Sequence, residues 1–185
     1  DMWAPMASPL RRFRRAVIDF PMRERFLTAD PARVEHWKSV LAEAPAGPKI
    51  GILWKSLKLD GARRRYFSPF EQWGPVLSTP GVTFVNLQYG ESAEELARAR
   101  DELGVEIWNP PGINLKDDLD DVAALTCALD LTVGFANATT NIAAACGAET
   151  WIISVPGAWT RLGTDHMPWY PTARIFLPEE FAVWE

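Results

Sequence analysis

Residues 134–147 read GFANATTNIAAACG, an apolar run followed by a polar turn and then a patch of alanines. This pattern predicts a strand that passes through a tight turn into a helix beginning near Asn137. The first N–H groups of such a helix lack intrahelical acceptors and lie at its positive end, so they can bind an anion such as phosphate. The hydroxyl groups of Thr139 and Thr140 add donors there, and Ala138 leaves the backbone open to close approach. The alternative is an ordinary helix start with Thr or Asn as the cap.

A second group of residues suited to anions follows KIGILWK, an apolar run at residues 49–55. It comprises Lys55, Lys58 and the run Arg63–Arg65. Several cations beside a helix N-terminus suit a diphosphate, because ammonium and guanidinium groups pair with phosphate oxygens. Arg65 is the preferred phosphate ligand among the arginines, since it lies nearest to the next predicted helix. The alternative is that the arginine run is only solvated.

Several other chemistries lack support. No G-x-G-x-x-G motif follows the first apolar run, and the sequence contains no P-loop and no G-x-S-x-G elbow. Cys127 and Cys146 lie in alanine-rich segments, which favours buried thiols over a disulfide or a reactive thiol. The run DDLDD at residues 117–121 favours helix capping over catalysis or metal binding. No metal site is predicted.

The composition limits the class of protein. The 185 residues are 48% hydrophobic and carry a formal net charge of −5. The negative charge argues against a general nucleic-acid binder, which usually presents a basic face. No apolar run approaches the ~18 residues of a membrane span, and no signal peptide is visible. We therefore expect a cytoplasmic protein, and the first residue, Asp1, leads us to expect a piece of a longer one.

Three regions must position these groups. Residues 1–30 are rich in arginine and proline and predict an extended arm that packs on a neighbouring domain, although RRFRR also suits an acidic partner or phosphate. Residues 31–48 predict a helix capped by Asp30, followed by a linker. Residues 49–185 alternate short apolar runs with helical patterns, which implies parallel strands and right-handed crossovers. The predicted fold is α/β: a doubly wound, Rossmann-like parallel sheet of five to six strands with an N-terminal arm and helix.

Capping residues mark the starts of the predicted helices and so place these elements along the chain. Ser68 with Glu71, and Ser92 with Glu95, predict capping boxes at two helix starts, and Asp118 predicts a third cap. Gly104 predicts the stop of the helix that begins at Ser92. Ligands of such sheets bind beyond the carboxyl ends of the strands, where the strand order reverses. The candidate residues above therefore lie at one edge of the sheet. The predicted strands lie at residues 49–55, 82–88, 105–108, 131–135 and 150–154, with a sixth candidate at 173–176.

The order and spacing of five segments resemble those of the C-terminal, donor-binding lobe of GT-B glycosyltransferases. The particular resemblance is to the glycosyltransferase domain of bacterial tetratricopeptide-repeat proteins, which is related to the heptosyltransferases and, more distantly, to the O-linked N-acetylglucosamine transferases. It runs from about residue 30 to residue 184. The segments are DPARVEHWKSVL, KIGILWKS, PGVTFVNLQYG, LDDVAALTCALDLTVGFANATTNIAAACGAETWII and MPWYPTARIF.

The resemblance implies a metal-independent transferase lobe that binds a nucleotide-diphosphate sugar as its substrate and needs no separate cofactor. The sugar would pass to a protein or glycan acceptor, and the partners would be an N-terminal lobe and a repeat domain of the same protein. By position, Lys55 and Ser56 would lie near the donor phosphates, Gln88 near the nucleoside and Leu115 near the base. The predicted donor- and phosphate-binding residues are Lys55, Ser56, Arg65, Gln88, Leu115, Asn137, Ala138, Thr139, Thr140 and Asn141.

Two positions depart from the pattern of the heptosyltransferase group. That group usually has an acidic residue where this chain has Ala136 and a histidine where it has Asn141, and both usually help to handle the donor. Donor binding therefore fits better than catalysis, and no catalytic residue is predicted. One alternative is a degenerate lobe acting as a scaffold or protein-interaction module, linked to flagellin modification or flagellar assembly. Another is a sugar-nucleotide epimerase, for which His166 is the candidate catalytic residue.

Overall fold

The computed structural model describes residues 3, 5, 8–57 and 60–184 of the chain. Within those residues, five strands form one sheet in the order β2-β1-β3-β4-β5, and every neighbouring pair is parallel. The strands are β1 (Lys49–Leu53), β2 (Thr83–Asn86), β3 (Leu131–Phe135), β4 (Thr150–Ile153) and β5 (Arg174–Phe176). The predicted α/β class and parallel sheet are confirmed.

Helices connect these strands. The α-helices are α1 (Leu10–Phe13), α2 (Pro31–Leu41), α3 (Gly74–Leu77), α4 (Ala93–Leu103), α5 (Leu119–Ala128) and α6 (Ala138–Ala145). Short 3-10 helices lie at Val17–Asp19, Gly61–Tyr66, Phe70–Trp73 and Trp159–Arg161. Among the described residues, no helix is long and apolar enough to cross a membrane.

One face of the sheet is covered by α2 and α5, which pack side by side. α2 begins where predicted: the carboxylate of Asp30 accepts the N–H of Ala32 at 2.8 Å, and Pro31 occupies the first helical position. The apolar side chains of α2 point inward because they recur at helical spacing. The buried cluster on this face consists of Trp37, Leu41, Leu53, Val85, Leu87, Ala124, Leu125 and Leu129.

The opposite face is covered by α4 and by the segment after β1. Strand residues of alternating position point to this side, as the period of a β-strand requires. With helices on both faces, the sheet is doubly wound as predicted. The buried cluster on this second face consists of Ile52, Trp54, Trp73, Leu77, Phe84, Ala99, Ile107, Val133 and Phe135.

The strand predicted at residues 105–108 is wrong. Only Trp108 pairs with the sheet, through a single parallel bridge to Val85. Pairing stops there because Pro110 and Pro111 follow, and proline has no N–H to donate to a ladder. At the other end, the N–H of Val105 is bound to the carbonyl of Ala99 at 3.1 Å and so belongs to the end of α4.

Both predicted capping boxes are also wrong, whereas the predicted Asp118 cap and Gly104 stop are confirmed. The hydroxyl of Ser68 accepts the indole N–H of Trp73 at 3.1 Å, and residues 70–73 form a 3-10 helix that continues as α3. The side chain of Ser92 forms no capping hydrogen bond, and Glu95 pairs instead with Lys55, which follows β1. Tertiary partners thus outcompete the local caps that the spacing favours.

The N-terminal arm packs on the end of α6. The N–H groups of Phe26 and Leu27 donate to the carbonyl of Ala145 at 2.7 and 2.9 Å. Phe20 is buried and meets the ring of Trp169 edge-on, with 4.9 Å between centroids. The arm is extended apart from α1 and one 3-10 turn. Residues 1, 2, 4, 6 and 7 of the arm lie outside the described residues.

Candidate functional site

The carboxyl ends of β1 and β3 form a crevice. The two strands are neighbours although β2 lies between them in the chain, and their ladder pairs Leu53 with Gly134. A Cβ atom on Gly134 would lie 2.4 Å from Cγ of Leu53 and 2.7 Å from its carbonyl oxygen, so only glycine allows this approach. The segment after β1 joins the α4 face, whereas α6, after β3, packs against α5. This is therefore the switch point at which parallel α/β sheets bind ligands.

The start of α6 is held by a capping box that joins Asn137 and Thr140. Oδ1 of Asn137 accepts the N–H of Thr140 at 3.2 Å, and Oγ1 of Thr140 accepts the N–H of Asn137 at 3.1 Å. The Thr140 hydroxyl donates to the carbonyl of Phe135 at 3.0 Å and is fully buried. Thr140, predicted to contact phosphate, thus uses its side chain and its N–H to shape the turn.

Three donors at this turn have no hydrogen-bond partner among the described residues. The N–H groups of Ala138 and Thr139 have no acceptor within the described part of the chain. Nδ2 of Asn137 is buried and has no partner among the described residues, and its identity as the NH₂ group follows from the bond that Oδ1 accepts. Ala136 and Ala138 are exposed, so no large side chain covers the backbone here. The turn can therefore bind an anionic oxygen as the sequence predicts.

Gln88 fixes the exit from β1. Its Oε1 accepts the N–H groups of Trp54 and Lys55 at 3.1 and 2.9 Å, and its Nε2 donates to the carbonyl of Tyr89 at 2.9 Å. The side chain is almost completely buried. These bonds make Gln88 the residue that orients Lys55, and its contact with a nucleoside stays a prediction.

Lys55 and Arg65 line the same cavity of about 490 Å³. The Lys55 ammonium forms an ion pair with Glu95, and the two side chains are only 22% and 17% exposed. The Arg65 guanidinium lies 5.3 Å from the ring centroid of Phe181. The structure therefore brings the two predicted cations together but gives one of them an internal counter-ion. Lys58 lies outside the described residues.

Arg98 lines the same cavity and is held more firmly. It donates to Glu71 at 2.6 Å and to Glu102 at 3.1 Å. Hydrogen bonds to Glu102 and Glu71 raise the pKa of Arg98, and the bond from Arg98 lowers the pKa of Glu71. Because Arg98 already has two carboxylate partners, it is the less available cation for a ligand.

The remaining predicted residues surround the crevice. Ser56 is buried directly after Lys55. Leu115 is half-buried against the cluster beneath α2 and α5. Asn141 is half-buried in the first turn of α6, and its N–H bonds to the carbonyl of Asn137 at 3.1 Å. Their contacts with a nucleotide stay predictions.

His166 and the two cysteines lie outside this cluster. His166 is exposed in the loop after β4, where Nδ1 lies 2.9 Å from Asp165. The cysteines are free, as the sequence predicts, with Cys146 buried and Cys127 half-buried. A hydrogen bond with Cys146 lowers the pKa of the Cys127 thiol to about 7.

Comparison of the whole chain with solved structures finds matches of low sequence identity that include two glycosyltransferases. The family 9 glycosyl transferase of Veillonella parvula matches with a TM-score of 0.59 at 13% identity, over 83% of this chain and 42% of that one. The ADP-heptose lipopolysaccharide heptosyltransferase II of E. coli matches with a TM-score of 0.59 at 16% identity, over 89% and 49%. The chain therefore shares the α/β fold of the matched parts of these two proteins. The resemblance to heptosyltransferases is thus confirmed for the fold, and the link to tetratricopeptide repeats stays a prediction.

A curated relative extends beyond this glycosyltransferase-like domain. Protein FlbA of Caulobacter vibrioides is 56% identical over 185 residues, which is 100% of this chain and 31% of that protein. The chain therefore spans less than a third of the relative's length. No protein-family model matches the chain.

Sequence reasoning missed Glu95 as a member of the site. Its spacing from Ser92 favoured a capping role, whereas its carboxylate faces Lys55 across the cavity. One signal was available in the sequence. Glu95 lies in the first turn of a helix that starts at the edge of the sheet where ligands bind. Sequence spacing alone does not show that the loop after β1 reaches α4.

Proposed function

We propose that this glycosyltransferase-like lobe binds a nucleotide-diphosphate sugar in the crevice between β1 and β3. The observation that carries the proposal is the set of three available donors at the start of α6: the N–H groups of Ala138 and Thr139 and Nδ2 of Asn137. They lie at the switch point of a sheet whose fold is shared with glycosyltransferases. Lys55 follows the adjacent strand and would supply the cation.

These groups suit the chemistry of sugar transfer. When the bond from the anomeric carbon to the diphosphate breaks, negative charge grows on the leaving oxygens. Fixed donors aimed at that position stabilise the charge without reorganising, and hydrogen bonds to charged groups are typically worth about 1.5–3 kcal/mol each. The N–H groups and Lys55 can supply this stabilisation without a metal ion. The acceptor, a protein or glycan, would be bound by a neighbouring lobe and repeat domain.

Isothermal titration calorimetry with ADP, UDP, GDP and CDP tests the proposal. We expect saturable binding of at least one of them at micromolar to millimolar concentration, weakened by salt because the contacts are charged. Nucleotide sugars carrying the preferred base should then compete with the diphosphate for the same site. Absence of heat with all four nucleotides, from folded protein at millimolar ligand, would contradict donor binding.

The second candidate function is a degenerate lobe that serves as a scaffold or protein-interaction module, linked to flagellin modification or flagellar assembly. Ala136 and Asn141 favour it, because neither offers a charged group to the crevice. The ion pair of Lys55 with Glu95 also favours it, since the cation is already neutralised. A cooperatively folded chain that binds no nucleotide would support this candidate over the first.

A further inference from the structure

The ion pair between Lys55 and Glu95 occupies the position that an anionic ligand would need. Both side chains are largely shielded from water, with 22% and 17% of their surfaces exposed. Attraction between charges is stronger in such a partly buried place than at an open surface. A phosphate that binds Lys55 must therefore displace the Glu95 carboxylate.

The two backbones are too well anchored for the pair to open by loop movement. Gln88 holds the N–H groups of Trp54 and Lys55. Leu57 packs onto Gly90 in the loop after β2, where an added Cβ would lie 2.6 Å from Cδ1 of Leu57. Glu95 projects from the first turn of α4, an eleven-residue helix. Exchange of partners must therefore occur through side-chain rotation.

The neighbouring charges make Glu95 the specific competitor. Arg98, one turn further along α4, is bound by Glu71 and Glu102 rather than by Glu95. Glu94 lines the same cavity but forms no ion pair within the residues that the structure describes. A substitution at Glu94 therefore changes the charge of the cavity without freeing Lys55.

We propose that Glu95 is an internal competitor for Lys55 that lowers the affinity of the site for a diphosphate and leaves its affinity for a monophosphate nearly unchanged. This inference rests on the proposed donor-binding function. A monophosphate at the start of α6 leaves the ion pair intact. A diphosphate bound there would extend its second phosphate toward Lys55, which follows the neighbouring strand β1, and that phosphate would replace the carboxylate.

The test compares Glu95→Gln with the matched control Glu94→Gln by calorimetric titration of the nucleoside diphosphate that the chain binds and its monophosphate. Both variants remove one negative charge, but only Glu95→Gln frees Lys55. The expected result is diphosphate affinity raised about five- to tenfold by Glu95→Gln, with monophosphate affinity nearly unchanged. Glu94→Gln should match the wild-type chain. In a Lys55→Met background the gain should disappear, since the two changes act on one pair.

A second measurement needs no ligand. Competitive acetylation with an N-hydroxysuccinimide ester, read by mass spectrometry, should modify Lys55 faster in Glu95→Gln than in wild type or Glu94→Gln. Equal gains from the two variants in affinity, or equal Lys55 reactivity in all three proteins, would overturn the role of Glu95. Failure of every variant to bind nucleotide, with Lys55 reactivity raised as expected, would instead overturn the proposed function.

Discussion

The hydroxyl of Thr140 donates to the carbonyl of Phe135 at 3.0 Å and closes the turn between β3 and α6 from within. The neighbouring Thr139 has a free N–H, whereas that of Thr140 is bound by Asn137. The two adjacent threonines therefore have different roles in the turn. The Thr140 side chain closes the turn, whereas the N–H of Thr139 has no acceptor among the described residues.

Thr140→Ala should destabilise the chain without reporting on ligand binding. The change leaves the buried carbonyl of Phe135 without its donor and opens the capping box, which should lower the free energy of unfolding by about 1–3 kcal/mol. Urea denaturation followed by tryptophan fluorescence measures this loss. Thr140→Ser keeps the hydroxyl and is the control. Equal stability of the alanine and serine variants would show that the hydroxyl is not needed.

Asn137→Asp should abolish anion binding but keep the helix start. Aspartate is as good an N-cap as asparagine, so the free energy of unfolding should change little. The new carboxylate replaces the free NH₂ of Asn137 and repels phosphate, so nucleotide affinity should fall at least tenfold. Calorimetry on the two proteins gives the comparison. Unchanged affinity would place the ligand elsewhere.

Gly134→Ala should disturb the junction of β1 and β3. Its Cβ would lie 2.4 Å from Cγ of Leu53 and 2.7 Å from the Leu53 carbonyl oxygen, so the strands must separate. We expect a loss of about 1–3 kcal/mol in the free energy of unfolding, from denaturant melts. Gly74→Ala is the matched control, because its nearest such atom is Cδ2 of Leu103 at 4.0 Å. Equal effects of the two variants would refute the close approach.

Cys127 should alkylate well before Cys146 at neutral pH. The hydrogen bond with Cys146 lowers the pKa of Cys127 to about 7, so Cys127 should carry the larger thiolate fraction of the two cysteines. Hydrogen bonding to Cys127 and burial raise the pKa of Cys146, which keeps that thiol protonated. Iodoacetamide labelling from pH 6 to 9, mapped by mass spectrometry, measures both. Cys146→Ala should move the Cys127 profile to higher pH, and an unmoved profile would contradict the pairing.

Local signals predicted much of the fold. The caps at Asp30 and Asp118 and the stop at Gly104 were predictable because each depends on residues within one helical turn. The parallel sheet followed from alternating apolar runs. Residues 105–108 do not form a strand, because the N–H of Val105 bonds to the end of α4 and two prolines follow Trp108. The spacing of apolar residues does not reveal either constraint.

The candidate site was predictable in position but not in detail. The rule for parallel sheets places Lys55 and the Asn137–Thr140 turn at the same edge without knowledge of side chains. Which groups remain free depends on tertiary partners. Thr140 and Gln88 turn inward to backbone groups, and Lys55 meets Glu95. None of these contacts follows from sequence spacing.

The central claim is that the free N–H groups at the start of α6 bind a nucleotide diphosphate. Ala138→Pro removes one of them, and proline suits both the first helical position and the extended backbone of the preceding Asn137. Ala138→Ser keeps the N–H and is the control. Calorimetric titration of both variants and the wild-type chain with the same nucleoside diphosphate is the most direct measurement. We expect the affinity of the proline variant alone to fall about tenfold or more. Equal affinity in all three proteins, or no binding by the wild-type chain, would contradict binding at these N–H groups.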